Sequence, residues 1–390
     1  MIVYIFGFSL SLLLIGLAQR YKTKDIRFQV LSFFALLIPC FIAGLRDLTI
    51  GTDVNVYASP MFDIAKSSSS LKSFLNTTWY MVYVKKTISD IEMGYDVLVF
   101  VTAKVFGSVQ SLLFLTEMLV VVPVYVALVK MRKQLPIWVG MLTFYLMYFN
   151  LSLNIMRQSI AMAFLLLAFS YLFNESRKGF VVSFIIAVCF HTSAFLGIIV
   201  FAIYLYVVKD RKMSFHILHK HIRIKQRTGK ISRDGTHKLI LITAIGVFAI
   251  VFYQILISVL NNLGLSVYTR YLIGGVAFLP KQIVVRLPFI LFAMMAWKVL
   301  EENTLSLFYM AMVIVDILLS QLAGTEAQTM RVSMFFGMFR MFFAPILYVE
   351  APKKNGKIIR IGMIVYLLIY WLYYFVLKAS GETYPYMFYF

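Results

Sequence analysis

The sequence is poor in charged residues and in cysteine. Only 14% of its 390 residues are charged, and Lys and Arg outnumber Asp and Glu by 37 to 17. The two cysteines, Cys40 and Cys189, lie inside apolar runs, which is not typical of a disulfide framework. The chain contains no HEXXH, Walker, GxSxG or CxxC motif, so no motif supports a hydrolase, an ATPase or a redox enzyme.

Long apolar runs dominate instead. Apolar residues make up 61% of the chain, the mean hydropathy is +0.85, and the runs are roughly 20 residues long, as a membrane-spanning helix requires. We therefore predict an all-α polytopic membrane protein, a single transmembrane domain over residues 1–390. Residues 1–18 lack the basic start of a signal peptide and are interpreted as the first span. About twelve crossings are predicted, at 2–18, 28–43, 109–129, 137–149, 155–173, 179–208 (two partial helices), 239–260, 283–299, 304–323, 330–349 and 358–377.

The net charge of +20 follows the positive-inside rule. This places both termini and the loop 46–107 outside, and it removes the case for nucleic acid as a partner. In the basic cytoplasmic loop 209–238, His216, His219 and His221 have Lys and Arg neighbours that would repel a cation, so no metal site is expected there. The basic clusters placed in the cytoplasm lie at 20–27, 130–133, 175–178, 209–238, 298–303 and 350–360.

Three further segments are apolar or aromatic without forming a full crossing of their own. Residues 94–107, with Lys104, predict an amphipathic or re-entrant helix on the outer face, within the external loop. Residues 179–208 begin and end in the cytoplasm but are too few for two full spans, so His191 at their middle should lie in a recessed turn. The aromatic tail 378–390 is typical of an interfacial anchor.

Arginine, rather than lysine, occupies the predicted outer helix ends and the spans. The planar guanidinium binds phosphate through two hydrogen bonds and stays charged when desolvated. This favours a site for a lipid-linked phosphate or diphosphate below the outer surface, with Arg46, Arg157 and Arg331 as the best candidates because each lies in a polar cluster. For Arg286 and Arg340, snorkelling to headgroups is the favoured interpretation. The complete set is Arg46, Arg157, Arg270, Arg286, Arg331 and Arg340.

The few external acids are candidates for proton transfer. Asp53, Glu92 or Asp47 near arginines could orient or deprotonate a sugar hydroxyl. Asp47 could instead simply pair with Arg46, and Asp53 could cap a helix in the loop. His191 is the alternative base, although a single histidine in an apolar segment is more often structural.

Four short motifs follow one another along the first half of the chain, and they resemble the EpsG family of polysaccharide-biosynthesis membrane proteins, which is similar to the Wzy O-antigen and capsule polymerases. The second half resembles the family mainly in hydropathy, with Arg270–Tyr271 and Arg331. The motifs are Gly44-Leu-Arg-Asp47 with Gly51-Thr-Asp53 and Tyr57, then Glu92-Met-Gly-Tyr95, Asn154-Ile-Met-Arg-Gln158 with Ala161, and His191-Thr-Ser-Ala194.

The resemblance implies a glycosyltransferase that joins oligosaccharide repeat units carried on undecaprenyl diphosphate. The reaction would occur at the outer face of the bacterial cytoplasmic membrane, with helices arranged as in the GT-C glycosyltransferases. It also implies that the chain works beside a flippase and a chain-length regulator and that it uses no cofactor. A diphosphate leaving group needs no general acid, but it does need fixed cations, and the acceptor hydroxyl needs a base.

The roles expected on this scheme are as follows. Asp53 or His191 orients and deprotonates the acceptor. Nothing demands a metal, although Asp47 and Asp53 could hold a divalent ion with waters. The diphosphate is held by Arg46, Arg157, Arg331 and Arg270, and the acceptor side is formed by Glu92, Tyr95, Asp47, Asn154 and Gln158.

Three other classes of protein compete with the polymerase. A flippase or other transporter would need polar residues through both leaflets, whereas the unusual charges here lie outward. An O-antigen ligase or another membrane transferase would share the diphosphate cations and differ in its acceptor. A structural scaffold would leave the clustered polar residues unexplained.

Overall fold

A computed structural model describes residues 1–208, 232–264, 279–321 and 327–389. Arg270 and most of the basic loop 209–238 therefore lie outside the described residues. The chain divides into two compact units. Unit 1 comprises Met1–Phe195 and Ile364–Phe390, and unit 2 comprises Leu196–Met363.

Unit 1 is a helical bundle built largely from neighbours in the chain. Helix α1 packs against α2, α2 against α6, α6 against α9, and α9 against α10. Short α5 packs against α3, α6 and α10, which brings the predicted external loop onto the bundle. The helices are α1 (Ile2–Ala18), α2 (Ile26–Gly44), α3 (Ser59–Ser67), α4 (Leu71–Leu75), α5 (Met93–Val105), α6 (Val109–Lys130), α7 (Ile137–Phe144), α8 (Asn150–Ser152), α9 (Met156–Phe173) and α10 (Arg177–Phe190).

Aromatic rings and small hydroxyl side chains fill the interior of unit 1. The rings of Phe8 and Tyr145 stack in parallel with centroids 4.9 Å apart. The Tyr145 hydroxyl hydrogen-bonds Ser11 Oγ at 2.7 Å, and the Ser32 and Tyr125 hydroxyls are 2.5 Å apart. In each of these pairs both hydroxyls have a partner inside an apolar bundle, where an unpaired polar group is costly.

Unit 2 is organised around one central helix, α16, which packs against α11, α12, α14, α17 and α18. The apolar sequence of α16 carries one acid, Asp316, which lies about one turn before its end. The helices of this unit are α11 (Gly197–Val208), α12 (Ser232–Val251), α13 (Tyr253–Asn262), α14 (Pro280–Met295), α15 (Trp297–Leu300), α16 (Thr304–Ser320), α17 (Ala327–Gly337) and α18 (Arg340–Val349), and they are followed by α19 (Gly356–Trp371).

The all-helical, multi-pass architecture agrees with the sequence prediction. Five helices in the described ranges are long and apolar enough to cross a membrane, and further apolar helices are shorter. The figure of about twelve crossings and the likeness to GT-C glycosyltransferases stay predictions. The five long helices are Ile26–Gly44, Val109–Lys130, Met156–Phe173, Met330–Val349 and Gly356–Leu377.

The two segments that were predicted to be too short for full spans form short helices. Helix α5 has 13 residues. Helix α10 has 14, and a 3-10 turn at Thr192–Leu196 follows it, so His191 lies at the predicted turn. The connection between the predicted spans 137–149 and 155–173 is partly helical, because α8 ends at Ser152 and α9 begins at Met156.

A β-hairpin within residues 46–107, the predicted external loop, was not expected from the sequence. Strands β1 (Thr78–Met81) and β2 (Val84–Thr87) pair in antiparallel fashion, with Thr78 opposite Thr87 and Met81 opposite Val84. Aromatic and β-branched residues on both sides of a tight turn favour this structure. The hairpin therefore had a local signal, which the apolar flanks obscured.

Candidate functional site

The chain turns sharply after α2, and Asp47 stabilises that turn. Its carboxylate Oδ1 accepts hydrogen bonds from the Thr49 N–H at 2.9 Å and from the Thr49 hydroxyl at 2.6 Å. These bonds hold the pKa of Asp47 below its ordinary value. Arg46 donates instead to the carbonyl oxygen of Leu153 at 2.9 Å. The alternative in which Asp47 pairs with Arg46 is therefore not observed, and each side chain has its own hydrogen-bond partners.

The next residues of this loop pack against the turn between α8 and α9. Gly51 has a left-handed backbone, with φ of +90°, and lies directly against the Leu153 carbonyl. Two residues on, the Asp53 N–H donates to Asn154 Oδ1 at 3.2 Å. The motif that contains Asp53 is therefore in contact with the motif that begins at Asn154, although about 100 residues separate them in sequence.

Asp53 and Tyr57 form a hydrogen-bonded pair on the first turn after the loop. The Tyr57 hydroxyl donates to Asp53 Oδ2 at 2.6 Å. Burial, followed by the nearby Asp53 charge, raises the pKa of Tyr57 well above its ordinary value, so this hydroxyl stays protonated and keeps donating. The turn, Val54–Ala58, is a π-helix, and such turns are frequent at functional sites.

Arg157 joins this pair to the second motif. Its guanidinium forms an ion pair with Glu92 Oε2 and lies over the Tyr57 ring, 4.6 Å from its centroid. Glu92 Oε1 also accepts a hydrogen bond from the Thr192 N–H at 3.3 Å. The motif that begins at His191 therefore also contacts Glu92. The Arg157 and Glu92 side chains are 21% and 14% exposed, which leaves the ion pair within reach of a ligand.

His191 lies at the edge of this cluster, at the end of α10. Its Nδ1 accepts a hydrogen bond from the Ser193 N–H at 3.1 Å. A neutral imidazole has one donor and one acceptor nitrogen, so in this arrangement the proton is assigned to Nε2, the donor nitrogen. Close packing of Gly94 against the Cys189 carbonyl brings the start of α5 to the end of α10.

Beneath the cluster, two ionisable side chains lie inside the bundle. Arg46 and Glu117 are each 1% exposed. Glu117 accepts hydrogen bonds from the Ser152 hydroxyl at 3.0 and 2.9 Å. Burial lowers the pKa of Arg46, and the neighbouring Glu117 opposes that shift. Because Arg46 holds Leu153 and Glu117 holds Ser152, these two residues support the turn that carries Asn154. Sequence reasoning missed Glu117, although an acid inside a predicted span is itself a signal.

Asp96, one turn after Glu92 on α5, was also missed. It is 1% exposed, and its Oδ1 has no hydrogen-bond partner within the described part of the chain. Burial raises the pKa of Asp96 to about 7, opposed by Arg157 and assisted by Glu92.

Asp96 is expected to make stability fall as pH rises. Its folded pKa lies above the unfolded value of about 4, so the stabilisation from its protonated form is complete below that pH and is lost as pH rises through about 7. Asp96→Asn should therefore unfold at a higher temperature than the wild type at pH 8 and at a similar temperature at pH 4, measured on purified protein in detergent. Asp63→Asn, which removes an exposed charge from α3, is the control. An equal difference at both pH values would contradict the assignment.

Unit 2 contains a separate buried charge cluster. Arg286 Nε is 2.9 Å from Asp316 Oδ2, and Arg340 forms an ion pair with the same oxygen. Arg286 also donates to Gln282 Oε1 at 2.5 Å. The prediction that Arg286 and Arg340 snorkel to headgroups is therefore wrong, because both are buried and neutralised by an acid that the sequence interpretation overlooked. Arg331 is exposed on α17.

The structure separates the predicted ligand contacts into exposed and buried groups. Tyr95 is fully buried and packs edge-on against Tyr57, with ring centroids 5.5 Å apart. Gln158 is also buried, as is Arg46. Tyr95 supports the cluster through Tyr57, and Arg46 supports it through the turn at Leu153. The predicted residues that form or border the more accessible cluster are Asp53, Glu92, Asn154, Arg157 and His191.

The cluster combines groups suited to a polyhydroxylated, anionic ligand. Arg157 offers a guanidinium for phosphate, while Asp53 and Glu92 offer carboxylates for hydroxyl groups. Over the described ranges, no group of three or more His, Cys, Asp and Glu side chains is placed to hold a metal ion. We name this assembly of Asp53, Tyr57, Glu92, Asn154 and Arg157 the outer cluster.

Comparison with known proteins gives one family. The EpsG family model matches residues 29–388, nearly the whole chain, and so includes every residue of the outer cluster. No curated protein and no solved structure matches the chain significantly. Because the match extends over both units, the chain belongs to the EpsG family, which is associated with polysaccharide biosynthesis.

Proposed function

We propose that the chain is a polysaccharide polymerase. It joins oligosaccharide repeat units carried on undecaprenyl diphosphate, at the outer face of the bacterial cytoplasmic membrane. The products would be capsule, O-antigen or exopolysaccharide chains, and the enzyme would work beside a flippase and a chain-length regulator. Membership of the EpsG family supports the polysaccharide role.

One observation carries the proposal: the outer cluster joins an arginine, two carboxylates and an aromatic ring from motifs far apart in sequence. Arg157 contacts both Glu92 and the Tyr57 ring, and Tyr57 holds Asp53. A buried ion pair maintained only for stability is often no better than apolar packing. Arg157 and Glu92 are instead partly exposed. This suits a guanidinium that releases Glu92 and binds an anionic ligand in its place.

Arg157 is the cation that we assign to the diphosphate. In the reaction, negative charge builds on the leaving diphosphate, and a fixed guanidinium stabilises it without having to reorganise. Arg46 contributes from below through the turn at Leu153, to which it donates. The predicted contacts of Arg331 and Arg270 with the diphosphate belong to this proposal as well.

Asp53 is the base that the hydrogen bonding favours. Its Oδ2 is held by the Tyr57 hydroxyl, which fixes the direction of the carboxylate. His191 is less suited to this role, because its Nδ1 already accepts from Ser193 and its Nε2 would be a donor. Glu92, together with Asp47 and Asn154, would shape the acceptor side.

The reaction then balances without a cofactor. The acceptor hydroxyl oxygen forms a bond to the anomeric carbon of the growing chain, and the bond from that carbon to the diphosphate oxygen breaks. The diphosphate leaves with the electron pair, next to Arg157. The hydroxyl proton passes to Asp53 and then to solvent.

A chain-length assay tests the proposal. Purified protein in liposomes receives lipid-diphosphate-linked repeat units and no nucleotide sugar, and the products are separated by size. We expect a ladder of products that differ by one repeat unit, because each transfer extends the chain by one unit. Protein-free liposomes are the control.

The alternatives predict different results. A flippase would move the same lipid across the bilayer without forming a ladder, which would overturn the polymerase assignment. A ligase would transfer saccharide only when a second, non-lipid-diphosphate acceptor is added.

A further inference from the structure

The C-terminal segment 381–389 crosses the loop that carries Asp53. The Asp47 N–H donates to the Met387 carbonyl at 2.9 Å, and the Tyr389 N–H donates to the Leu45 carbonyl at 2.9 Å. Arg46 and Phe388 therefore face one another as a short antiparallel bridge. The tail that the sequence predicted to be an aromatic interfacial anchor adds a strand-like edge to this loop.

The same segment is fixed on its other side to the core of unit 1. Thr383 is fully buried. Its carbonyl accepts from the Tyr4 hydroxyl at 2.7 Å, and its Oγ1 accepts from Asn150 Nδ2 at 2.9 Å. Asn150 Oδ1 in turn accepts from the Trp371 indole N–H at 2.8 Å. The segment is thus anchored in the bundle and can hold the loop in a fixed position.

Glu382 contacts the two residues that precede Asp53 in the chain. Its carboxylate Oε2 accepts from the Thr52 hydroxyl at 2.5 Å, and its backbone carbonyl accepts from the Gly51 N–H at 3.2 Å. Glu382 has a φ of +53°, a left-handed backbone conformation that residues other than glycine rarely adopt. Strain of this kind persists where the surrounding structure fixes it, and it concentrates at functional sites.

We infer that Glu382 is a positioning residue of the site, acting on Asp53 through Thr52 and Gly51. The inference rests on the proposed polymerase function. Glu382 holds both residues that precede Asp53, and Asn154 holds the Asp53 N–H from the opposite side. The loop is clamped between them. Loss of the Glu382 carboxylate would leave the ligand-facing residues in place but would loosen the loop that carries Asp53, while the Tyr57 hydroxyl would still donate to the Asp53 carboxylate.

The test compares Glu382→Ala, Glu382→Gln, Thr52→Val and Thr52→Ser as full-length proteins in liposomes. The probe is the lipid-diphosphate-linked repeat unit of the chain-length assay. Glu382→Ala and Thr52→Val each remove the hydrogen bond, and we expect kcat to fall about tenfold with little change in KM, since a hydrogen bond to a charged group has roughly that value. Glutamine keeps an acceptor oxygen and serine keeps the donor, so these variants should retain most of kcat.

Two further measurements separate positioning from a general structural role. The double variant Glu382→Ala/Thr52→Val should lose no more than either single variant, because both remove the same bond. Hydrogen exchange of a peptide covering residues 47–57 should be faster in Glu382→Ala and Thr52→Val than in Glu382→Gln. Glu302→Ala, an exposed acid in unit 2, is the control and should change neither quantity.

Normal kcat and normal exchange in Glu382→Ala would overturn the inference, as would additive losses in the double variant. If Glu382→Ala does not fold, Thr52→Val against Thr52→Ser decides by the same criteria. If the wild type forms no ladder, the polymerase proposal fails, while the exchange comparison still decides whether Glu382 fixes the loop.

Discussion

Arg157→Ala is expected to abolish long-chain product while leaving the protein in the membrane. The substitution removes the guanidinium that contacts both Glu92 and the Tyr57 ring. Removing one preorganised donor from a developing anion typically lowers kcat by about 10²- to 10³-fold. Here the lost group also carries a full charge. The chain-length assay in liposomes should therefore show unextended lipid-linked repeat units and no ladder.

Arg157→Lys should recover only part of this loss. Lysine keeps the charge, but it lacks the planar fork that can contact a phosphate and a carboxylate together, and it stacks less well on Tyr57. Arg27→Ala is the matched control. Arg27 forms an ion pair with Asp25, but its side chain is 63% exposed, and exposed pairs of this kind contribute little. Full-length polymer from Arg157→Ala, with normal protein levels, would remove Arg157 from the mechanism.

Helix positions were predictable because the membrane constrains length and polarity. The short α5 and the His191 turn followed from segments that had too few residues to cross at 1.5 Å per residue. The motif residues Asp53, Glu92 and Arg157 were predicted as site residues, and their side chains lie together in the structure. The sequence did not indicate which of these residues touch.

Buried charge partners were harder to predict. Glu117 and Asp316 each lie inside an apolar span, where an ionisable side chain demands a partner. The sequence does not say which helix supplies that partner. For Asp316 the partners are Arg286 and Arg340, 30 residues before it and 24 after it. Those arginines were assigned to headgroups because the helix packing that buries them produces no recognisable pattern in the neighbouring sequence.

The contact of residues 45–52 with the C-terminal segment likewise could not be predicted from the sequence. Arg46 and Phe388 lie at nearly opposite ends of the chain. Their bridge rests on backbone hydrogen bonds, which any residue but proline can make. Only the fold of unit 1, which brings α1 and α2 beside residues 383–389, creates this contact.

Gly51→Ala is expected to have the second large effect. Gly51 has φ of +90°, and an added Cβ would collide with the Leu153 carbonyl oxygen and lie 3.2 Å from its carbon. The left-handed backbone and the forced shift together should destabilise the protein by about 2–4 kcal/mol. The shift would move Asp53 relative to Asn154 and Arg157, and a displacement of about 1 Å in a catalytic group can lower the rate about 10²-fold.

Gly107→Ala separates the two causes. Gly107 also has a left-handed backbone, with φ of +69°, but an added Cβ there would meet nothing within 4 Å. Its substitution should cost about 1 kcal/mol from the backbone alone and leave the ladder intact. Thermal unfolding in detergent and the chain-length assay measure both effects. If Gly51→Ala behaves like Gly107→Ala, the close contact with Leu153 does not position Asp53. If Gly51→Ala still folds at the assay temperature but forms no ladder, the contact with Leu153 sets the geometry of the outer cluster.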